Sequence, residues 1–453
     1  GMRRIGRYEI LGLLGRGGMG AVYKAAAPLT GRMVAVKLCR PAEIMADVVG
    51  MDECRRLFLR EAVTMARVRH PHIAQILDVD ECEAGPFFVM EYFCNNLGVV
   101  LGEDYEMDKP CRRLPVDAGL RYARQMLSAL RRLHYEGVVH RDLKPFNVML
   151  ADWGEGVDEV KLIDFGLSRL RGEVGGGHKG MVVGSPFYTA PEQERDPDGA
   201  DGRADLFSIG VSLYRMITGF LPDENLKMRK NASELNPELD SKFDEFLIRA
   251  MSPSLEERFA TAGDMLAALD RLSAHWESAK AATCSLLETE ERPASGLRGR
   301  PRSEPLKAGV RQARQVFGLD ELWRPRQTSA GDLADNGDGT VSDRSTGLVW
   351  ERGGSDYPLA WDQALEHPAW CNARKLGGRS DWRLPTVDEL GSLFAGPPAP
   401  GHFCLEPMFD PAMRRLWSRD SKSFMSAWYV DAETGFIWWQ DMTCGFHARA
   451  VSG

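Results

Sequence analysis

The stretch HRDLKPFNVML, His140 to Leu150, sets two cations around one carboxylate, Asp142, and places the amide of Asn147 five residues further on. Upstream, DAGLRYARQMLSALRRLHYEG carries Leu120, Ala123, Leu127, Leu130 and Leu133 on one helical face, with Gly137 as a stop. Downstream, VKLIDFGLSR reads as an apolar strand ending in Asp164, Phe165 and Gly166. A polar turn explains any one of these residues. It does not explain two carboxylates, a lysine and an amide gathered between a helix and a strand.

Working outward, strand-like runs (YEILGLLG, MVAVKLC, FFVMEYF) give way to helical patterns, so a sheet-rich lobe precedes a helical one from Tyr8 to about Ala274. In LLGRGGMGAVYKA, Gly15, Gly17 and Gly20 form a GxGxxG between two strand patterns, where glycines let a hairpin backbone close over phosphates. A dinucleotide-binding fold would need a helix there, yet Val22 and Tyr23 continue a strand. Lys37 ends the apolar run VAVK. In RRLFLREAVTMARVRHPHI, Glu61 shares a helical face with Leu57, Met65 and Val68, which turns its carboxylate toward the core. Buried together, Lys37 and Glu61 would need each other. The whole set suits phosphoryl transfer: a carboxylate to orient and deprotonate a hydroxyl, oxygen ligands for Mg²⁺, and positive charge on the phosphates.

With these motifs in this order, residues 8–274 resemble the eukaryotic-like (Hanks-type) serine/threonine protein kinases of bacteria. The resemblance implies a bilobal α+β kinase fold using ATP and Mg²⁺ on a protein substrate with a Ser or Thr acceptor. It implies that Gly15, Gly17, Gly20 and Val22 cover the nucleotide, and that Lys37 holds the α/β-phosphates and pairs with Glu61. Met90 would stand at the back of the adenine pocket, with Glu91 and Phe93 binding adenine through their backbones. Asp142 would be the catalytic base, Lys144 a contact to the γ-phosphate, and Asn147 and Asp164 the Mg²⁺ ligands. Glu192 of APE would meet Arg258, Asp205 would support the catalytic loop, and Met65, Ile76, His140 and Phe165 would stack as a hydrophobic column. Small-molecule phosphotransferases such as aminoglycoside kinases lack DLKP and APE. Pseudokinases usually lose the strand lysine or an aspartate, and here all are intact. The loop GLSRLRGEVGGGHKGMVVGS departs from the family: it has no Thr or Tyr, only Ser168 precedes Ser185, and its five glycines from Gly172 to Gly180 predict mobility. An activation-loop phosphate pairing with Arg141 is therefore not expected.

The remaining sequence divides further. Residues 275–331 are rich in charge, Pro and Gly and read as a linker, in which Ser303, after Arg298, Arg300 and Arg302, is an exposed candidate for autophosphorylation. Residues 332–453 hold eight of the eleven tryptophans and read as a second domain. Its strings DNGDGTVSDRSTGLVWERGG, LAWDQALEH and WCNARKLGGRSDWRLPTVDEL resemble the carboxy-terminal domain of Lcl-type adhesins, a family associated with the C-type-lectin-like fold. That implies a small mixed α/β recognition domain with a protein or glycan ligand. Where that family carries a cysteine near its end, Ala450 stands here, so a bridge to Cys371 is not expected. DNGDGT is not an EF-hand, because its first and twelfth ligands would be Ala334 and Ser345. The tryptophans read as mostly core, with at most one of Trp438 and Trp439 buried on an alternating strand.

With 453 residues, 43% apolar and 27% charged, the chain exceeds one ordinary core, and its net charge of −8 argues against nucleic-acid binding. Nine cysteines show no CxxC and no His at metal-ligand spacing, and read as reduced thiols. No apolar run approaches the roughly 20 residues that span a bilayer, and GMRRIGRYEI has no signal-peptide segment, so a cytoplasmic protein is expected, with Gly1 a tag scar.

Overall fold

The apolar alternation of the first runs becomes a sheet. A computed structural model describes residues 4–17, 19–103, 109–163, 186–196, 199–222, 230–284, 299–328, 331–396 and 403–453. They divide into two compact units. One comprises Gly1–Arg113, Asp117–Ala151 and Glu159–Lys280, the other Leu114–Val116, Asp152–Asp158 and Ala281–Gly453.

The first unit opens with β1 (Arg4–Ile5), β2 (Tyr8–Gly17), β3 (Gly20–Ala26), β4 (Met33–Cys39), β5 (Ile76–Cys82) and β6 (Gly85–Glu91), an antiparallel sheet in the order β1-β2-β3-β4-β6-β5. One face buries Ile5, Tyr8, Ala25, Val34, Val36, Leu38, Phe87 and Val89. After α1 (Glu43–Val49), α2 (Met51–Arg67) buries Cys54, Phe58, Ala62 and Met65, a stripe at helical spacing that packs on the sheet, with Phe58 and Phe88 ring centroids 5.2 Å apart.

A short strand β7 (Asn95–Asn96) and helix α3 (Leu97–Leu101) lead to α4 (Val116–Tyr135), whose expected face of Leu120, Ala123, Leu127, Leu130 and Leu133 is buried throughout. Gly137, at φ 73°, ends it in the left-handed region that favours glycine. The chain then forms β8 (Val148–Asp152), β9 (Asp158–Leu162), α5 (Pro191–Arg195), α6 (Arg203–Thr218), α7 (Ala232–Leu235), α8 (Ser241–Ala250) and α9 (Ala262–Cys284). Helix α6 is buried at all but its first residue and forms the centre of the helical lobe. Helix α9 continues past the expected domain end at 274: Trp276 packs edge-on against Phe243, and its Nε1 donates to Asp117 at 3.1 Å.

The second unit contains α10 (Val310–Val316), a sheet of β10 (Leu333–Asp335), β11 (Thr340–Asp343), β12 (Leu348–Glu351) and β16 (Val451–Ser452), helices α11 (Trp361–Ala373) and α12 (Val387–Ser392), and a second sheet of β13 (Arg415–Ser421), β14 (Ser426–Asp431) and β15 (Phe436–Asp441). The core joins Val341, Trp350, Leu390, Phe394, Leu416, Trp428 and Ile437. The Asp152–Asp158 turn groups with this unit because Asp158 is buried between Arg414 and Arg415, each with a nitrogen 2.9 Å from it. In DNGDGT the Asp335 and Asp338 carboxylates accept from the Gly337 and Thr340 amides, as side chains of a turn do.

Three expectations change. The linker 275–331 is not one across its described residues, since 275–284 belong to α9, and Ala308, Ala313, Phe317 and Leu319 are buried in the second core. Ala308 anchors there because its amide donates to the Ser421 carbonyl at 3.0 Å and its carbonyl accepts from Trp428 Nε1 at 3.0 Å. Ser303 is half-buried beside Arg302, which is clamped by Asp388 and Asp420, so the exposed tether does not exist at that serine. Of the eight tryptophans, Trp350, Trp382, Trp417 and Trp428 are buried and the rest are not, neither Trp438 nor Trp439 being fully covered. Lastly, Cys39, Cys54, Cys82, Cys111, Cys371 and Cys404 are free, whereas Cys94 is disulfide-bonded. That corrects the reading of every cysteine as reduced, on which the cytoplasmic expectation leaned. Among the described residues, no helix is long and apolar enough to cross a membrane.

Candidate active site

The quoted stretch folds as a loop between α4 and β8. Its shape is set by Asp205, fully buried at the start of α6, whose carboxylate accepts from the His140 amide at 2.9 Å, the Arg141 amide at 2.8 Å and His134 Nε2 at 2.8 Å. Gln193 Nε2 donates to the Arg141 carbonyl at 2.6 Å. These bonds hold Arg141 at φ 64°, a left-handed backbone that a non-glycine residue adopts at a cost of about 1–3 kcal/mol. His140 is itself fixed: Nδ1 accepts from the Asp142 amide at 3.3 Å, so Nε2 carries the proton and donates to the Ile163 carbonyl at 2.9 Å.

Three side chains of the loop then meet. Lys144 Nζ lies 3.2 and 3.3 Å from the two Asp142 carboxylate oxygens, and Asn147 Nδ2 donates to the Asp142 backbone carbonyl at 2.7 Å and to its carboxylate at 3.1 Å. The Asn147 amide nitrogen is thus committed to Asp142, which leaves Oδ1 as the atom it presents elsewhere. The Asn147 carbonyl accepts from the Ile163 amide at 3.2 Å and ties the loop to the residue before Asp164. Asp164, Phe165, Ser168 and Ser185 lie outside the described residues, as do the activation-loop glycines.

The nucleotide-side residues are brought onto one sheet face. In the β2–β3 hairpin, Gly15 stands opposite Val22 and Gly17 opposite Gly20. Gly20 is required by packing, because a Cβ there would sit 2.1 Å from the Leu38 carbonyl oxygen; Gly15 has open space where a Cβ would be. Val22 pairs with Lys37, and Ala35 with Met90, so these side chains share a face. Lys37 is 5% exposed, with Nζ 5.7 Å from the Phe88 ring centre. Glu61 is half-buried on α2, a helix that packs on β4. Glu91 closes β6, its amide donating to the Gln75 carbonyl at 3.2 Å and its carboxylate accepting from the Gln75 amide at 2.9 Å, with Phe93 half-buried just beyond. Of the expected column, Met65, Ile76 and His140 are buried.

Beneath the loop, Arg258 grips Glu192 with both terminal nitrogens, at 2.6 and 3.1 Å, and also donates to the carbonyls of Ser252 and Arg203. Three supports carry no local sequence signal: His134, Gln193, and the buried Arg215–Glu103 pair at 2.7 Å, whose carboxylate also accepts from Tyr188 at 2.8 Å. Burial and the neighbouring Glu103 push the Tyr188 hydroxyl well above its ordinary pKa, so it stays a donor.

Comparison with known proteins bears on the family of the chain. The protein kinase domain model matches residues 8–268, and the Lcl C-terminal domain model matches 339–452. Serine/threonine-protein kinase Pkn1 of Myxococcus xanthus is 33% identical over 57% of this chain and 37% of its own length. The DNA damage-responsive serine/threonine-protein kinase RqkA of Deinococcus radiodurans is 39% identical over 48% and 30% respectively. PrkC of Bacillus subtilis is 31% identical over 58% and 40%. The chain thus spans well under half the length of these relatives. The crystal structure of the Mycobacterium tuberculosis PknI kinase domain is 26% identical, covers 59% of this chain and 96% of its own, and superposes with a TM-score of 0.44. With the family model covering more than half of its residues, the chain belongs to the protein kinase domain family.

Proposed function

We propose that this chain is an ATP- and Mg²⁺-dependent kinase that phosphorylates serine or threonine in a protein substrate. One observation carries the reading: Asp142, Lys144 and Asn147 converge within 3.3 Å on a loop that Asp205 holds in a strained shape. The Asp142 carboxylate would accept the proton of the attacking hydroxyl and orient its oxygen in line with the γ-phosphate. Lys144 would keep a positive charge beside that carboxylate and against the transferring group. Lys37, presented from a buried strand, would fix the α/β-phosphates, with Glu61 steadying it, and Val22 and Met90 would bound the adenine whose edge meets the Glu91 and Phe93 backbones. The open space over Gly15 suits close approach of phosphates to the hairpin backbone. Asn147 Oδ1 and Asp164 would hold Mg²⁺, which supplies positive charge against the phosphate oxygens; the oxygen that Asn147 leaves uncommitted fits that hard cation.

Transfer of labelled phosphate from ATP to the protein and to a generic substrate tests this, wild type beside Asp142→Asn. Loss of the base should lower turnover about 10²–10⁴-fold with ATP binding nearly intact. Comparable turnover would turn the reading toward a pseudokinase scaffold. For residues 332–453 we infer a C-type-lectin-like recognition domain for a protein or glycan. The supporting observation is a partly exposed aromatic group in which Trp438 meets Trp323 edge-on at 4.7 Å and Lys422 Nζ sits 3.3 Å over Trp439. A glycan array and protein pull-down with Trp438→Ala as control test that role.

A further inference from the structure

Away from the catalytic loop, α11 places His367 and Cys371 four residues apart, so imidazole and thiol point from one face of the helix. That face meets Glu351, the last residue of β12. His367 Nε2 lies 2.9 and 3.1 Å from the two Glu351 oxygens, and one donor atom from each of the three residues falls within 4.8 Å of the others. Cys371 is fully buried, Glu351 nearly so, and His367 borders solvent with 13% of its side chain exposed. The cluster is also braced: the Ala450 amide donates to Glu351 Oε2 at 2.9 Å, the His367 ring stacks on Trp370, and Val349, Trp382 and Ala450 pack around Cys371.

We propose that Glu351, His367 and Cys371 form a binding site for one zinc-type divalent transition-metal cation, which would pin α11 to the end of β12. The donor set decides the class of ion. A thiolate with an imidazole selects a borderline-soft cation, whereas Mg²⁺ and Ca²⁺ take oxygen ligands. Three protein ligands leave a fourth tetrahedral position, on the solvent side where His367 is exposed, for water. Burial and the Glu351 carboxylate push the Cys371 thiol up to about 12, so with no cation bound it keeps its proton. On binding, the S–H bond breaks, the proton leaves to solvent and a metal–sulfur bond forms. Nε2 of His367, the N–H donor to Glu351 before binding, gives its proton to solvent while Nδ1 takes one up, and the lone pair freed on Nε2 becomes the ligand; the net release is the one thiol proton, and no oxidation state changes. The opposing account is a metal-free cluster in which thiol, carboxylate and imidazole only hydrogen-bond.

The two accounts separate in a cobalt titration of the full chain, reduced and stripped with chelator. A site with a thiolate ligand gives a near-ultraviolet thiolate-to-cobalt charge-transfer band that saturates at one equivalent, disappears on adding Zn²⁺ and survives excess Mg²⁺. The oxygen ligands expected in the kinase cleft cannot produce it. Cys371→Ser should abolish the band, and His367→Ala should weaken binding at least about tenfold. Because Cys371 is buried, circular dichroism checks that the serine variant folds; if it does not, His367→Gln, altered at the solvent edge, is read instead. No band in the folded wild type, the same band in folded Cys371→Ser, or unchanged affinity in the His367 variants overturns the proposal.

Discussion

Replacing Asp205 with alanine removes one buried carboxylate that serves three donors: the His140 and Arg141 amides and His134 Nε2, all within 2.9 Å. A hydrogen bond to a charged group contributes about 1.5–3 kcal/mol, but the three share one acceptor and do not add. Removing the charged member of such a buried set costs about 3–5 kcal/mol in all. The same change frees Arg141 from its φ of 64°, a strain of about 1–3 kcal/mol that the carboxylate now offsets. The loop therefore relaxes, and Asp142, adjacent to Arg141, moves with it. A displacement near 1 Å at a reacting group lowers rate about 10²-fold. In urea the variant should unfold at a lower midpoint with an unchanged slope. In a phosphate-transfer assay kcat should fall about 10²-fold while KM for ATP barely moves, since β2, β3, β4 and the β6 end are untouched. Asp205→Asn should lie between, because its one oxygen can serve one amide while its NH₂ faces another donor. Wild-type turnover in Asp205→Ala, or a loss confined to KM for ATP, would refute the claim that this carboxylate positions the base.

Other consequences are as specific. Arg258→Met strands Glu192 and two carbonyl acceptors, and should cost about 3–5 kcal/mol in chemical denaturation; Arg258→Lys, a point charge without the fork, should recover only part. Phe317→Ala should destabilise the second unit by about 3–5 kcal/mol, read from tryptophan fluorescence on unfolding, because the ring packs against Trp428 at 5.2 Å; no change would restore the linker reading. Burial, with His72 and nearby Arg131 and Arg132, pushes His70 down to about 4 from 6.5. Folding thus favours its neutral form: its contribution is complete above pH 6.5 and is lost as pH falls from there to about 4. His70→Asn should flatten the stability profile in that window, by less than the full shift implies because the ring is partly exposed and screened.

How much of this was legible depends on where each partner lies in the chain. Asp142, Lys144 and Asn147 sit within six residues, so their spacing alone brings them together, and the 3.6-residue stripe of α4 needs only its own sequence. Their support is different in kind. Asp205 follows Arg141 by 64 positions and Gln193 by 52, and nothing local marks His134 or Gln193 as donors to that loop or its anchor. The misread linker has the same cause. Residues 302–319 are charged and proline-containing because many of them face water, while Ala308, Ala313, Phe317 and Leu319 are buried in the core and Leu306 packs against it. Their partner Trp428 comes more than a hundred residues later, so composition sees the solvated face and not the anchor. The expectation of a mostly buried tryptophan set fails partly at β15, the edge strand of a three-stranded sheet, where neither Trp438 nor Trp439 is fully covered, within the limit of one that alternation set.

The His367–Cys371 pair marks the limit from the other side. Its four-residue spacing stands in the sequence against the expectation that no His lies at metal-ligand spacing from a cysteine, yet two donors on a helix bind nothing specific until a third faces them. Glu351 supplies it from a strand sixteen residues upstream, and only the packing of α11 on that strand end turns three scattered letters into one donor set. A motif of consecutive residues therefore announces chemistry from sequence. A site assembled across elements shows only when the fold encloses its donors together, as β12 and α11 enclose this carboxylate, imidazole and thiol.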